Sequence, residues 1–279
     1  MRHLRVLAAA LLALSSLPAI ARADEAPPEE KAAIAWETSY ASALKAASTQ
    51  HKPLLLAFHT GWCPFCTKME KTTWKDAAVA NLVDKFVAAS INADVEKVPV
   101  SRYHLTGFPT VIVAEPGGEQ VLRLEGYKDA AAVSAYLKAY LAADSDLRKA
   151  YDTLRAEKKN PGAMLTIGDF YSSVGLNDQA AETYMKAAKG ASGPDAIHAN
   201  AGAGAALVKA GKVDAGTKLL QAALTAAGDA PTPFLMLGMG RSEAAQGRSD
   251  SAKQWFNRLV AEHPESPEAA MARKELART

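Results

Sequence analysis

The chain holds two cysteines, and they stand together in Trp62-Cys63-Pro64-Phe65-Cys66. Cysteines at i and i+3 share one helical turn, close enough to be joined by a disulfide. The chemistry open to such a pair is thiol–disulfide exchange: one thiolate attacks a foreign disulfide and the second resolves the mixed disulfide. The surrounding residues supply the setting. Residues 54–58 are a short apolar run, read as a buried strand. Gly61 and Trp62 make a strand-to-helix turn, and Pro64 suits the first position of a helix. Cys63 then lies at the helix N-terminus, where free backbone N–H groups and the positive end of the dipole favour its thiolate. Cys66 lies one turn deeper, shielded and placed to resolve.

Other chemistries compete at this point. A structural disulfide closing so small a loop adds little through loop-closure entropy. Two thiolates leave zinc half-liganded, and no histidine follows them at ligand spacing; His59 precedes Cys63 by four residues, at the end of a strand. Cu(I) accepts two thiolates, which keeps a copper-delivery role open. A strand–CxxC–helix setting in an exported chain favours redox chemistry. No metal and no organic cofactor is expected.

The expectation of export rests on the N-terminus. Arg2 and Arg5 precede an apolar run over residues 6–14, and Ala21-Arg22-Ala23 offers a cleavage site, so residues 1–23 read as a secretory signal peptide. The run is too short to span a bilayer, which needs about 20 apolar residues. No membrane span is expected after cleavage, and residues 24–31 read as a solvated lead-in. The 279-residue chain has 32 Lys and Arg against 30 Asp and Glu; losing Arg2, Arg5 and Arg22 turns +2 into one net negative charge. So flat a balance gives no reason to expect nucleic acid as a partner. With 49% apolar and 22% charged residues, the chain is an ordinary globular one, long enough for two modest domains.

The elements that must position the motif alternate in type. Residues 34–36 read as an edge strand and 39–50 as an alanine-rich helix stopped by Lys52-Pro53. The helix opened by Pro64 is expected to reach about Trp74, with a short helix over 77–83 capped by Asp76. Residues 87–92 read as a strand and 98–103 as a short helix. Residues 110–114 and 121–124 form a hairpin around Pro116-Gly117-Gly118. Residues 129–141 are an amphipathic helix with Val133, Tyr136, Leu137 and Tyr140 on one face.

Residues 36–141 resemble the thioredoxin fold. The resemblance rests on the CxxC and on Gly107-Phe108-Pro109-Thr110 opening a strand, with Pro109 46 residues after Cys63. It implies a cis proline facing the cysteines and leaving the backbone before it free to pair with an extended substrate. Lys52-Pro53-Leu54-Leu55-Leu56, Trp62-Cys63, Cys66 and Glu70 are more particularly similar to the C-terminal thioredoxin-like domain of the reductant conductor DsbD. The resemblance implies catalytic Cys63 and Cys66, with Pro109, Trp62 and Phe108 positioning substrate. One position departs: a buried aspartate is usual six residues before the first cysteine, and here stands Ala57. Glu70 is the candidate to move protons in its place. The inner Pro64-Phe65 resembles glutaredoxin and DsbA rather than thioredoxin, a hint toward the oxidising direction.

From about residue 147 the texture turns all-helical, with a 36-residue repeat. Gly168, Gly204 and Gly240 are in register, as are Gly175, Gly211 and Gly247, Asp178, Asp214 and Asp250, and Tyr184, Leu220 and Phe256. Such periods mark stacked helical hairpins. The register resembles the tetratricopeptide repeat, with Ala180, Gly216 and Ala252 at the small position of the second helix. That resemblance implies a groove able to bind a protein partner, lined by Leu165, Asp169, Ser172, Ala201, Ala205, Val208, Leu237, Arg241 and Ala244. The expected organisation is a signal peptide (1–23), an α/β thioredoxin-like domain (24–146), and an all-α repeat domain (147–279) of three repeats with a capping helix.

The functional expectation is a periplasmic thiol–disulfide oxidoreductase exchanging disulfides with protein substrates in the reductase direction, recycled by an external thiol–disulfide partner. The rivals are an oxidase or isomerase direction, and a binding scaffold whose repeats recruit a partner while the CxxC is structural.

Overall fold

A computed structural model describes residues 33–278. The expected signal peptide (1–23) and lead-in (24–31) lie outside the described residues. The α/β part runs β1 (Trp36–Glu37), α1 (Tyr40–Gln50), β2 (Leu54–His59), α2 (Pro64–Lys71), α3 (Ala77–Val83), β3 (Val87–Asn92), α4 (Lys97–Arg102), β4 (Thr110–Ala114), β5 (Gln120–Glu125) and α5 (Ala130–Ala156). The sheet order is β1-β3-β2-β4-β5. β2 pairs parallel with β3 and antiparallel with β4, so the strand leading into the cysteines is internal. Its side chains alternate between two cores. Leu55 joins Val79, Val111, Val113 and Leu137 on one face. Leu54, Leu56 and Phe58 join Ala43, Ala47, Ile91 and Ile112 on the other. A strand apolar on both faces is what a sheet covered by helices on both sides requires.

Local signals place most boundaries. Ser39, Asp76 and Asp129 each accept a backbone N–H as N-caps of α1, α3 and α5. Two expectations shift. The first strand lies at Trp36–Glu37, where it pairs with Ala88 and Ala89. The helix after the cysteines ends at Lys71 rather than near Trp74, because Thr72 leaves helical geometry. A single 3-10 turn, Thr73–Lys75, follows; Thr73 Oγ1 donates to the Lys128 carbonyl at 2.8 Å, and Trp74 meets Trp36 edge-on at 5.3 Å.

The larger difference from expectation is the length of the last helix of the α/β part. α5 does not stop near residue 141 but runs from Ala130 to Ala156, 27 residues in all, past the expected start of the repeats at residue 147. The segment contains no glycine or proline, and Leu147 and Ala150 extend its buried face beyond Tyr140. One hydrophobic core then runs from Leu55, Val121 and Leu122 through Leu137, Tyr140 and Leu147 to Ala163, Ile167 and Phe170. The α/β unit and the first helical hairpin share that core.

The hairpins are α6 (Pro161–Ser173) with α7 (Asn177–Ala188), α8 (Gly193–Lys209) with α9 (Val213–Ala227), and α10 (Pro233–Ala245) with α11 (Ser249–Glu262), closed by α12 (Pro267–Leu276). Among the described residues no strand follows β5. The sequence columns have physical causes. Gly175, Gly211 and Gly247 all take positive φ, between 75° and 80°, in the turns within hairpins. Gly168 and Gly240 leave room for the rings of Tyr184 and Phe256, and Gly204 meets Leu220 and the Gly216 backbone. Of the expected groove positions, Leu165 and Ala201 are buried in packing instead of lining a surface, whereas Leu237, buried as well, borders a small pocket with Ala205, Val208 and Arg241. Leu165 packs in one cluster with Ala181 and Tyr184 of α7, and Ala201 in another with Leu220 and Ala223 of α9, where each hairpin needs apolar contact.

Candidate active site at the Cys63–Cys66 disulfide

Cys63 and Cys66 are joined by a disulfide, with their Cα atoms 5.3 Å apart. β2 delivers the chain to Thr60, and Pro64 opens α2, so Cys63 becomes the N-cap of that helix. Its Sγ accepts the Cys66 backbone N–H at 3.1 Å. A thiolate left at Cys63 after reduction would meet that donor and the positive end of the helix. Both cysteines are buried, at 4% and 3% exposure, so the shielding expected of Cys66 alone extends to Cys63.

Apolar side chains stand around them in solvent. Trp62 is 72% exposed and Phe65 57%. Trp62 is held from two sides: its Nε1–H donates to Asp94 Oδ1 at 3.3 Å, and its ring meets Phe108 edge-on at 6.3 Å. The other Asp94 oxygen accepts the Gly61 N–H at 2.9 Å, which fixes the turn before the cysteines. Phe65 lies beside Tyr127, whose ring carries the Lys68 ammonium 4.2 Å from its centroid.

The Phe108–Pro109 peptide is cis. Thr110 Oγ1 donates to the Gly107 carbonyl at 2.7 Å, closing the turn before β4. Because Thr110 pairs with Phe58, Pro109 arrives beside the end of β2. Pro109 and Cys66 both border a cavity of about 330 Å³, shared with Ala57 and Glu70. Trp62, Cys63, Cys66, Phe108 and Pro109 are thus gathered at one end of the sheet. Glu70 is exposed on α2 and reaches the group through the cavity rather than by a direct bond.

Sequence reasoning missed Asp94, Phe65 and Tyr127. A signal for Asp94 existed: Asn92-Ala93-Asp94 follows a strand, and Asn92 Oδ1 accepts the Asp94 N–H at 2.9 Å, a turn such residues favour. Nothing in the local pattern joins Tyr127 to Phe65. Among the described residues, no three His, Cys, Asp or Glu side chains are grouped to hold a metal.

Comparison with known proteins adds to this geometry. The family described as thioredoxin-like domain matches residues 40–141. Those residues are a thioredoxin-like domain. Protein disulfide-isomerase 2-3 of Arabidopsis thaliana is 34% identical over 82 residues, 29% of this chain and 18% of that protein. The thiol:disulfide interchange protein DsbD of Ralstonia nicotianae is 33% identical over 101 residues, 34% of this chain and 17% of that protein. The chain thus spans about a fifth of the length of these curated relatives. Among solved structures, a DsbH oxidoreductase is 24% identical, with a TM-score of 0.38, covering 43% of this chain and 93% of that one. A thioredoxin from Thermus thermophilus is 27% identical, with a TM-score of 0.35, covering 38% and 86%. In this thioredoxin-like domain the CxxC lies where β2 meets α2, and the all-helical region follows it. Among the described residues no helix is long and apolar enough to cross a membrane.

Proposed function

We propose that this protein is a thiol–disulfide oxidoreductase acting on protein substrates, exported to the periplasm through a cleaved signal peptide and working in the reductase direction. The observation that carries the reading is the Cys63–Cys66 disulfide capping α2 beside Pro109, beneath exposed Trp62 and Phe65. A scaffold with a merely structural crosslink has no use for that surround. Similarity to DsbD and to protein disulfide-isomerases supports the same reading.

The cycle starts from the dithiol. The Cys63 thiolate attacks a sulfur of the substrate disulfide, and the other substrate sulfur leaves as a thiolate. The Cys66 thiolate then attacks Cys63 Sγ, expels the reduced substrate and forms the Cys63–Cys66 disulfide. Two electrons have passed to the substrate, and an external thiol donor must return two. Pro109 has no N–H, so the Phe108 backbone beside it is left to pair with an extended substrate strand. Trp62 and Phe108 supply the apolar platform. Glu70, which lines the cavity together with Ala57 and Cys66, is the group proposed to exchange protons with Cys66. The helical hairpins hold a protein partner.

The deciding experiment is equilibration of the full chain, without residues 1–23, in graded redox buffers. A potential near thioredoxin's, about −270 mV, supports the reductase direction; one near about −120 mV reverses it. Failure to cycle reversibly would hand the function to the repeats.

A further inference from the structure

The cavity beside the disulfide is bordered by Cys66 and not by Cys63. Its apolar walls come from Trp36, Met69, Trp74 and Val111, and its polar ones from His59, Glu70, Lys75 and Ser90. Among the described residues, none of those four polar side chains has a hydrogen-bond partner. Ala57 leaves the floor open, since a longer side chain there would enter the space. A volume of about 330 Å³ lies at the small end of ligand pockets. It equals about ten waters at roughly 30 Å³ each, room for an amino-acid-sized molecule. Glu70 and Lys75 bring one charge of each sign, which suits a zwitterion. The reactive group on the wall is a cysteine.

We infer that this cavity binds a low-molecular-mass amino-acid thiol, which exchanges directly with Cys66 and so returns electrons to the pair. The inference rests on the reading that the pair cycles. Protein substrates use the outer face at Trp62 and Phe65, and the small thiol uses the inner one. Its thiolate attacks Cys66 Sγ from the cavity. The Cys63–Cys66 bond breaks, and Cys63 leaves as a thiolate at the N-terminus of α2, where the Cys66 N–H meets it. A second small thiolate attacks the sulfur of the first, releasing the small disulfide and the Cys66 thiolate. In sum, two small thiols become one disulfide, the protein disulfide becomes two thiols, and the two protons pass from the small thiols to the cysteines.

The test uses cystine as probe and mass spectrometry of the adduct on the full chain. Cys63→Ser leaves Cys66 alone, and Cys66→Ser leaves Cys63 alone. The expected result is S-cysteinylation of Cys66 in Cys63→Ser, slowed by about tenfold or more when Ala57→Leu or Ser90→Leu fills the cavity, equivalent to about 1.4 kcal/mol. The same fillings change the reaction of Cys63 in Cys66→Ser by less than about twofold, a few tenths of a kcal/mol. Excess serine, which is cysteine's shape without sulfur, slows the reaction at Cys66 only; this arm needs no cavity variant to fold. An unreactive Cys66, or fillings and serine that slow both cysteines alike or neither, overturns the inference. Reduction of a protein disulfide by dithiothreitol-recycled wild type is measured alongside. Its failure sinks the oxidoreductase reading itself, whereas its success with a cavity-blind Cys66 sinks only the inner route.

Discussion

Leu147→Ala tests the shared core most directly. Leu147 is fully buried on α5, at the point where the sequence pattern suggests a new domain. Its cluster reaches Val133, Leu137 and Tyr140 on one side and Ala163, Ile167 and Phe170 on the other. Truncation removes three carbons from the core, about 2.4 kcal/mol at roughly 0.8 kcal/mol each. The residual cavity adds on the order of 1 kcal/mol, so the loss is about 3–4 kcal/mol. For a chain of this size each kcal/mol moves Tm by about 2–4 °C, giving a fall of about 6–16 °C. Scanning calorimetry is read with two optical probes. Tryptophan fluorescence is weighted to the thioredoxin-like domain, which carries Trp36, Trp62 and Trp74, and far-ultraviolet dichroism is weighted to the helices. Both probes should fall together, and disulfide exchange should be lost at the same temperature. A fall confined to the helical signal, or one below about 2 °C, would refute the shared core. Val98→Ala, at a residue 76% exposed, is the control and should stay within about 0.5 kcal/mol.

Four more outcomes follow from particular contacts. Gly204→Ala places a Cβ 2.8 Å from the Gly216 carbonyl oxygen, backbone that has no room to yield, and should cost about 1–3 kcal/mol in denaturant unfolding. Gly162→Ala, whose nearest neighbour is an Asn160 oxygen at 3.5 Å, should be neutral or stabilising by up to about 1 kcal/mol. Asp94→Ala removes the acceptor for Gly61 N–H and Trp62 Nε1–H; turnover assays should show a raised KM for protein disulfides with an unchanged rate toward a small dithiol, and equal losses for both would refute the platform role of Trp62. His198 is raised above its ordinary range by its hydrogen bond to Asp169, with Asp195 adding to the effect and burial opposing it. A raised folded-state value stabilises below about pH 6.5 and is lost as pH rises through that value. The stability gap between wild type and His198→Gln, by urea unfolding, should therefore be wider at about pH 5.5 than at about pH 8.5. A gap of equal width at both would deny the charged pair.

Much of the site was legible because its signals are local. A strand of apolar residues, a turn glycine, a cysteine, a proline at the first helical position and a second cysteine three residues on define each other within a dozen residues. Pro109 was legible through its spacing and its neighbours. The burial of Cys63 was not, nor was Asp94 as the anchor of Trp62, since each depends on a segment some thirty or more residues away.

By itself the sequence determined the paired cysteines, the internal strand before them, and three helical hairpins whose columns of glycine and of large apolar or aromatic residues recur every 36 residues. Those features follow from backbone geometry and side-chain period, which act over one or two turns. The tertiary structure alone decided where α5 ends. Nothing in residues 130–156 breaks a helix, and the choice between stopping and continuing fell to the apolar surface offered by Ile167 and Phe170. It alone decided, too, that Ala57 opens a cavity rather than closing into a packed core. The size of that space is set by Trp36, Trp74 and Val111, residues that only the folded sheet brings around Cys66.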